Sequence, residues 1–223
     1  MTRQNNLTPA QIIHRVQSSP NIKVWTPRDF LDLGSLDAVK KALQRMVTKN
    51  ELRRIDRGLY DQPRFNELTG KLTAPDYRAV INAIIRRDQI RVLIDGITAA
   101  NDLGLTNAVP AKVIVLTDGR LKPIRLGNLI IQFKITSPSK LYWAGRPAMR
   151  IVQALHWFGD GLSKGAFVDA DIIQKKIIRL LQDPTYGANI LADLKFGLHT
   201  VPSWMQDWIR ALFERIEEDK TLR

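Results

Sequence analysis

Between Thr26 and Tyr60 the chain has little freedom in how it folds: a short helical segment, a Gly-Ser break, an amphipathic helix and a basic hairpin follow one another without spare residues. "TPRDFLDLG" starts with Thr26 as N-cap and Pro27 at the first helical position, where a missing N–H costs nothing, and it stops at Gly34. Phe30, Leu31 and Leu33 are expected to be its buried side. Ser35 then caps "SLDAVKKALQRMVTKN", which Asn50 closes. At about 100° per residue, Leu36, Val39, Leu43, Met46 and Val47 fall on one apolar stripe. The opposite face holds Asp37, Ala38, Lys41, Gln44, Arg45 and Thr48, with Lys40 on its flank.

"ELRRI" and "GLYDQ" read as two short strands about "DRG", with Gly58 free to take the positive φ that tight hairpins demand. Leu52, Ile55, Leu59 and Tyr60 serve packing or pairing, while Arg53, Arg54 and Arg57 decorate the ribbon. Upstream, "LTPAQIIHRVQSS" gives a first helix with Thr8 as N-cap, Pro9 at its start, and an apolar face of Ile12, Ile13 and Val16. Helix, helix, short turn, helix and basic hairpin in that order predict a winged helix-turn-helix.

In such a module the third helix reads the major groove and the ribbon reaches phosphates or the minor groove beside it. Gln44 and Arg45 suit base edges, Gln for adenine and Arg for guanine. Lys40, Lys41 and Lys49 suit phosphates, because an ammonium is a compact charge without a planar fork. Arg28, Ser35, Arg53, Arg54 and Arg57 complete the expected DNA-binding set. Ser35 and Thr26 offer hydroxyl and backbone N–H groups at helix starts, alongside their capping role.

The charge distribution agrees. The 223 residues carry a net +12, and residues 1 to 64 hold 12 basic and 6 acidic side chains against 22 and 16 in the remaining 159. The basic density therefore sits in the first third, where it favours a polyanion. The absence of cysteine rules out disulfides and thiolate chemistry and fits a reducing cytoplasm. No run is long and apolar enough for a membrane span, and "MTRQNNLTPAQ" lacks the apolar centre of a secretory signal.

The fold expected is α+β: the winged module over residues 1–64, a connector over 65–75, and a mixed α/β domain over 76–223 with a small sheet and a helical C-terminal block. Catalytic patterns are sparse, and no enzyme activity, cofactor or metal is expected. His14, His156 and His199 form no metal-ligand spacing, and "GLSKG" lacks the spacing of a phosphate-binding loop. Asp95 and Asp118 each precede glycine at a strand end, a place where carboxylates bind metal in nucleases and, far more often, simply form turns. They support the competing reading, a metal-dependent nucleic-acid-processing enzyme of a defence system. A basic cleft also suits RNA, a third and weaker reading.

The stretch "FLDLGSLDAVKKALQRMVTKNELRRIDRGLYDQP" closely resembles the N-terminal domain of AbiEi-type antitoxins and related winged helix-turn-helix regulators of type IV toxin–antitoxin (abortive infection) systems. A fainter similarity continues through "DGITAANDLGLTNAVP", "VIVLTDG" and "IRLGNLIIQFK". The resemblance implies a repressor that binds the operator of its own operon, inverted repeats included. It also implies a nucleotidyltransferase-like toxin as functional partner, without a stable complex between the two. By position, the family's DNA-contacting helix falls on Ser35 to Lys49 and its wing on Arg53 to Tyr60.

Overall fold

A computed structural model of the chain describes residues 9–19, 24–164 and 170–221, and shows an α+β protein. The helix expected at the start is α1 (Pro9–Ser18), with Ile12 and Val16 buried; Thr8, its expected cap, lies outside the described residues. Next comes β1 (Val24–Trp25), a short strand just ahead of the Thr26–Pro27 start signal that the sequence pattern does not reveal. A 3-10 turn, Pro27–Phe30, replaces most of that helix. Asp29 ties the turn to its own cap: its Oδ2 accepts from the Thr26 N–H at 2.7 Å and the Thr26 hydroxyl at 3.1 Å.

α2 (Leu36–Thr48) forms as the periodicity predicts, with the Ser35 hydroxyl accepting from the Ala38 N–H at 3.3 Å. Asn50 ends the segment with φ 60°, a left-handed conformation that asparagine tolerates. β2 (Arg53–Asp56) and β3 (Leu59–Asp61) form the hairpin, with Gly58 at φ 70°. β3 also pairs antiparallel with β1, Val24 opposite Asp61 and Trp25 opposite Tyr60, so the three-stranded order is β1-β3-β2.

One core joins these pieces: Ile12, Val16, Trp25, Phe30, Val39, Ala42, Leu43, Met46, Leu52 and Tyr60. Trp25 stacks on Phe30 with ring centroids 5.2 Å apart. Two residues expected there lie outside it. Leu31 and Leu36 are 47% and 41% exposed. Leu36 is the first residue of α2, ahead of the turns whose stripe meets the core, and Leu31 follows a 3-10 turn whose tighter pitch leaves Phe30 as the inward residue.

The segment 65–75, expected as a plain connector, contains a small hairpin of β4 (Phe65–Asn66) and β5 (Lys71–Leu72), turned at Gly70 with φ 62°. α3 (Tyr77–Asp88), capped by Asp76, follows. Residues group into two compact units, Met1–Ile90 with Pro123–Ile131, and Arg91–Lys122 with Gln132–Arg223. α3 thus belongs with the first unit, whose leading segment runs to Ile90, fourteen residues past the boundary drawn at 76. Arg86, near the end of α3, donates to the Val24 carbonyl and to Asp29 in the same unit.

β6 (Val92–Ile94) and β7 (Lys112–Thr117) pair antiparallel, Leu93 opposite Leu116. β8 (Ile124–Leu126) and β9 (Leu129–Ile135) make the next hairpin around Gly127, and the four-stranded order is β6-β7-β9-β8. α4 (Gly96–Asp102) packs on α5 (Met149–Lys164), which is interrupted at Gly159 (φ 26°, ψ −104°). The helical block continues with α6 (Ala170–Leu181), α7 (Gly187–Gly197) and α8 (Ser203–Thr221). Ile173, Ile177, Leu194, Met205, Ile209 and Leu212 are buried within it.

Candidate nucleic-acid interface

α2 is held by one side only. Val39, Ala42, Leu43 and Met46 are buried, and Asp37, Lys40, Lys41, Gln44, Arg45 and Thr48 are exposed. Lys41, Gln44, Arg45 and Thr48 stand at i, i+3, i+4 and i+7, so they share one face of the helix. Lys49 follows at its C-terminal cap. Residues 35–58 carry seven cations and three carboxylates, so this stretch is net positive.

Among the described residues, the side chains of Arg28, Lys41, Gln44, Arg45, Lys49 and Arg57 have no hydrogen-bond or ion-pair partner. Lys40 lies 3.9 Å from Asp37, one turn earlier, in a pair exposed on both sides and worth little. Ser35 serves as the N-cap of α2. Nearby, Arg15 of α1 grips Asp32 through two bonds of 2.6 Å, which hold the Asp32 carboxyl below the usual carboxylate range. That carboxylate is therefore matched locally.

The three hairpin arginines differ. Arg53 donates from Nε to Asp61 Oδ1 at 2.9 Å and from Nη2 to Oδ2 at 2.5 Å, while Nη1 donates to the Thr73 carbonyl at 2.9 Å. The Asp61 side chain is only 8% exposed, so this fork neutralises a buried charge between β2 and β3. Arg53 is thus a structural cation, and it leaves the set expected to face DNA. Arg54 is exposed, and its Nε approaches the Asp56 carbonyl at 3.5 Å, too long to hold it. Arg57, at the tip beside Gly58, is exposed.

The two carboxylates of the competing reading have separate tasks. Asp95 caps α4: it accepts from the Thr98 N–H at 3.0 Å, the Thr98 hydroxyl at 2.8 Å and the Ile114 N–H at 2.7 Å. Asp118 accepts from the Arg91 backbone and side chain, both at 2.9 Å, which lowers its pKa. Among the described residues, no group of three or more His, Asp or Glu is placed to hold a metal ion.

A family model described as a family of unknown function, DUF6088, matches residues 11–188. The chain belongs to DUF6088. A search of curated proteins found no match. The DUF6088 match begins inside α1 and ends in the first turn of α7. The family is therefore defined across both units, not by the basic module alone. No helix among the described residues is long and apolar enough to cross a membrane.

What sequence reasoning missed in this module is a pair of arginines, Arg86 and Arg87, at the end of α3. "IIRRDQ" was visible as a basic helix end, but the domain boundary at 76 separated it from the elements it touches.

Proposed function

We propose that the first unit is a winged helix-turn-helix that binds double-stranded DNA with sequence specificity. On this reading the protein is a cytoplasmic transcriptional regulator, the autorepressing antitoxin of a type IV toxin–antitoxin system. The observation that carries the DNA-binding half is the order helix, strand, turn, helix, strand, strand, with β1 on the far side of β3. A two-residue strand between the first helix and the turn, paired to the returning arm of the hairpin, is how a winged module joins its wing to its helices. A three-helix cluster followed by an unrelated hairpin would need no such strand.

The chemistry of the exposed side supports the same reading. The major groove admits one α-helix, and α2 offers Gln44 and Arg45 for base edges with Lys40, Lys41 and Lys49 for phosphates. Arg54 and Arg57 on the ribbon and Arg28 on the preceding turn add cations on either side in sequence. About five phosphate contacts give a slope of about −4 to −5 in log affinity against log salt. The antitoxin half rests on the resemblance of residues 30–63 to AbiEi-type proteins, with a nucleotidyltransferase-like toxin as functional partner.

Fluorescence anisotropy on the duplex upstream of the gene, against an unrelated duplex of equal length at physiological salt, tests the proposal. Tighter binding of the upstream duplex with that salt slope supports it. Equal affinity for both removes sequence specificity, and no binding removes the DNA reading.

A further inference from the structure

Helix α3 ends in two arginines that reach back onto the elements bracketing α2. Arg86 donates from Nη2 to the Val24 carbonyl at 3.1 Å and to Asp29 Oδ2 at 3.3 Å, the same oxygen that accepts from the Thr26 N–H. Arg86 thereby joins β1 to the 3-10 turn that leads into α2. Arg87 is itself held by a fork, Nε to Asp88 Oδ1 at 2.8 Å and Nη2 to Oδ2 at 2.7 Å. That fork leaves Nη1 to donate to the Arg57 carbonyl at 2.7 Å, at the tip of the hairpin. A methyl group placed on Gly58 would sit 3.7 Å from Arg87 Nη1 and 3.9 Å from Pro27 Cδ, so the tip lies between the end of α3 and the start of the turn.

The hairpin needs such a hold. Its ladder shifts register between Arg54 and Asp56, and only the Asp56–Leu59 pair closes the tip. A bulged, two-residue tip has few bonds of its own to fix its direction. Arg57 then divides its roles: the carbonyl is anchored, and the exposed side chain remains available. Arg87 is only 22% exposed, so it is poorly placed to contact a polyanion itself.

We propose that Arg87 is a positioning residue, which holds the ribbon tip so that the Arg57 guanidinium meets a duplex phosphate, with Arg86 fixing the turn on the other side of α2. This rests on the duplex-binding reading above, and it makes α3 part of the DNA-binding module.

The test uses the full chain and four variants, Arg87→Ala, Arg87→Lys, Arg57→Ala and the Arg57→Ala/Arg87→Ala double. Hydrogen exchange on the free protein comes first. Arg87→Ala is expected to speed exchange of the amides of residues 56–60 about tenfold while those of α2 keep their protection, which also shows that the variant folds. Arg87→Lys, whose compact ammonium cannot reproduce the fork that holds Asp88 and the Arg57 carbonyl together, recovers part of the protection. On the upstream duplex, Arg87→Ala and Arg57→Ala each weaken binding about fivefold and flatten the salt slope by about one. The double variant is no weaker than either single one, because both remove the same contact. Unchanged exchange at 56–60 in Arg87→Ala, or losses that multiply in the double variant, overturn the proposal. Should the wild-type chain bind no duplex, the DNA reading fails and takes the phosphate contact with it, while the exchange result still decides whether Arg87 holds the tip.

Discussion

Replacing Arg53 with alanine separates the three hairpin arginines by what each one does. The substitution leaves Asp61, 8% exposed, as a charge between two strands with both of its guanidinium bonds gone, and it frees the Thr73 carbonyl. Removing one partner of a fully buried pair costs about 3–5 kcal/mol. Arg53 is 29% exposed, so water screens part of that, and about 2–3 kcal/mol is the expected loss. For a unit of this size, about 2 kcal/mol moves the melting temperature by roughly 10 °C. Arg54→Ala and Arg57→Ala, at exposed side chains, should shift it by no more than about 2 °C. Thermal denaturation followed by circular dichroism makes the comparison. A double variant, Arg53→Ala with Asp61→Asn, should melt above Arg53→Ala alone, since no unpaired charge is then buried. Melting of Arg53→Ala within about 2 °C of the parent, with a loss of duplex affinity like that of Arg57→Ala, would show that Arg53 acts on the ligand and that the pair does not hold the ribbon.

Gly96→Ala should destabilise the second unit by about 2–3 kcal/mol in urea titration, because the added carbon lands 2.5 Å from both the Gln153 carbonyl oxygen and Trp157 Cβ. Asp95→Asn should cost about 1–2 kcal/mol by the same titration whether or not Mg²⁺ is present, since the carboxylate caps α4 and accepts from Ile114; a loss seen only with Mg²⁺ would point to metal binding. Asp118 has its pKa lowered by Arg91, so its contribution is complete above about pH 4 and fades as pH falls through the lowered value. Asp118→Asn should therefore unfold with a shallower dependence on pH in that acid window, an effect weakened by salt because the pair is partly exposed.

The most legible part of the sequence was α2, because a period of 3.6 separates Val39, Leu43 and Met46 from Lys41, Gln44 and Arg45 without reference to anything distant. Gly58 was legible for a similar reason: the turn alone requires its positive φ. Strand β1 was hidden because two residues give no alternation, and the Thr26–Pro27 start signal beside them reads as helix. The β4–β5 hairpin escaped on the same ground. Arg53 could not be told from Arg54 by composition: its partner Asp61 stands eight residues on, and only the strand register places the two together. Arg86 and Arg87 are harder still, with partners 30 to 62 residues away. Sequence pattern shows which face of an element is polar; the fold decides which polar groups are already taken.

The central claim is that the exposed face of α2 reads duplex DNA, and anisotropy of Arg45→Ala and Lys41→Ala against a set of single-base operator variants tests it most directly. Arg45→Ala should lose about 1–3 kcal/mol on the parent operator and stop discriminating at one base position, whereas Lys41→Ala should weaken every duplex alike and flatten the salt slope by about one. Wild-type affinity for Arg45→Ala, with the full pattern of discrimination retained, would contradict it.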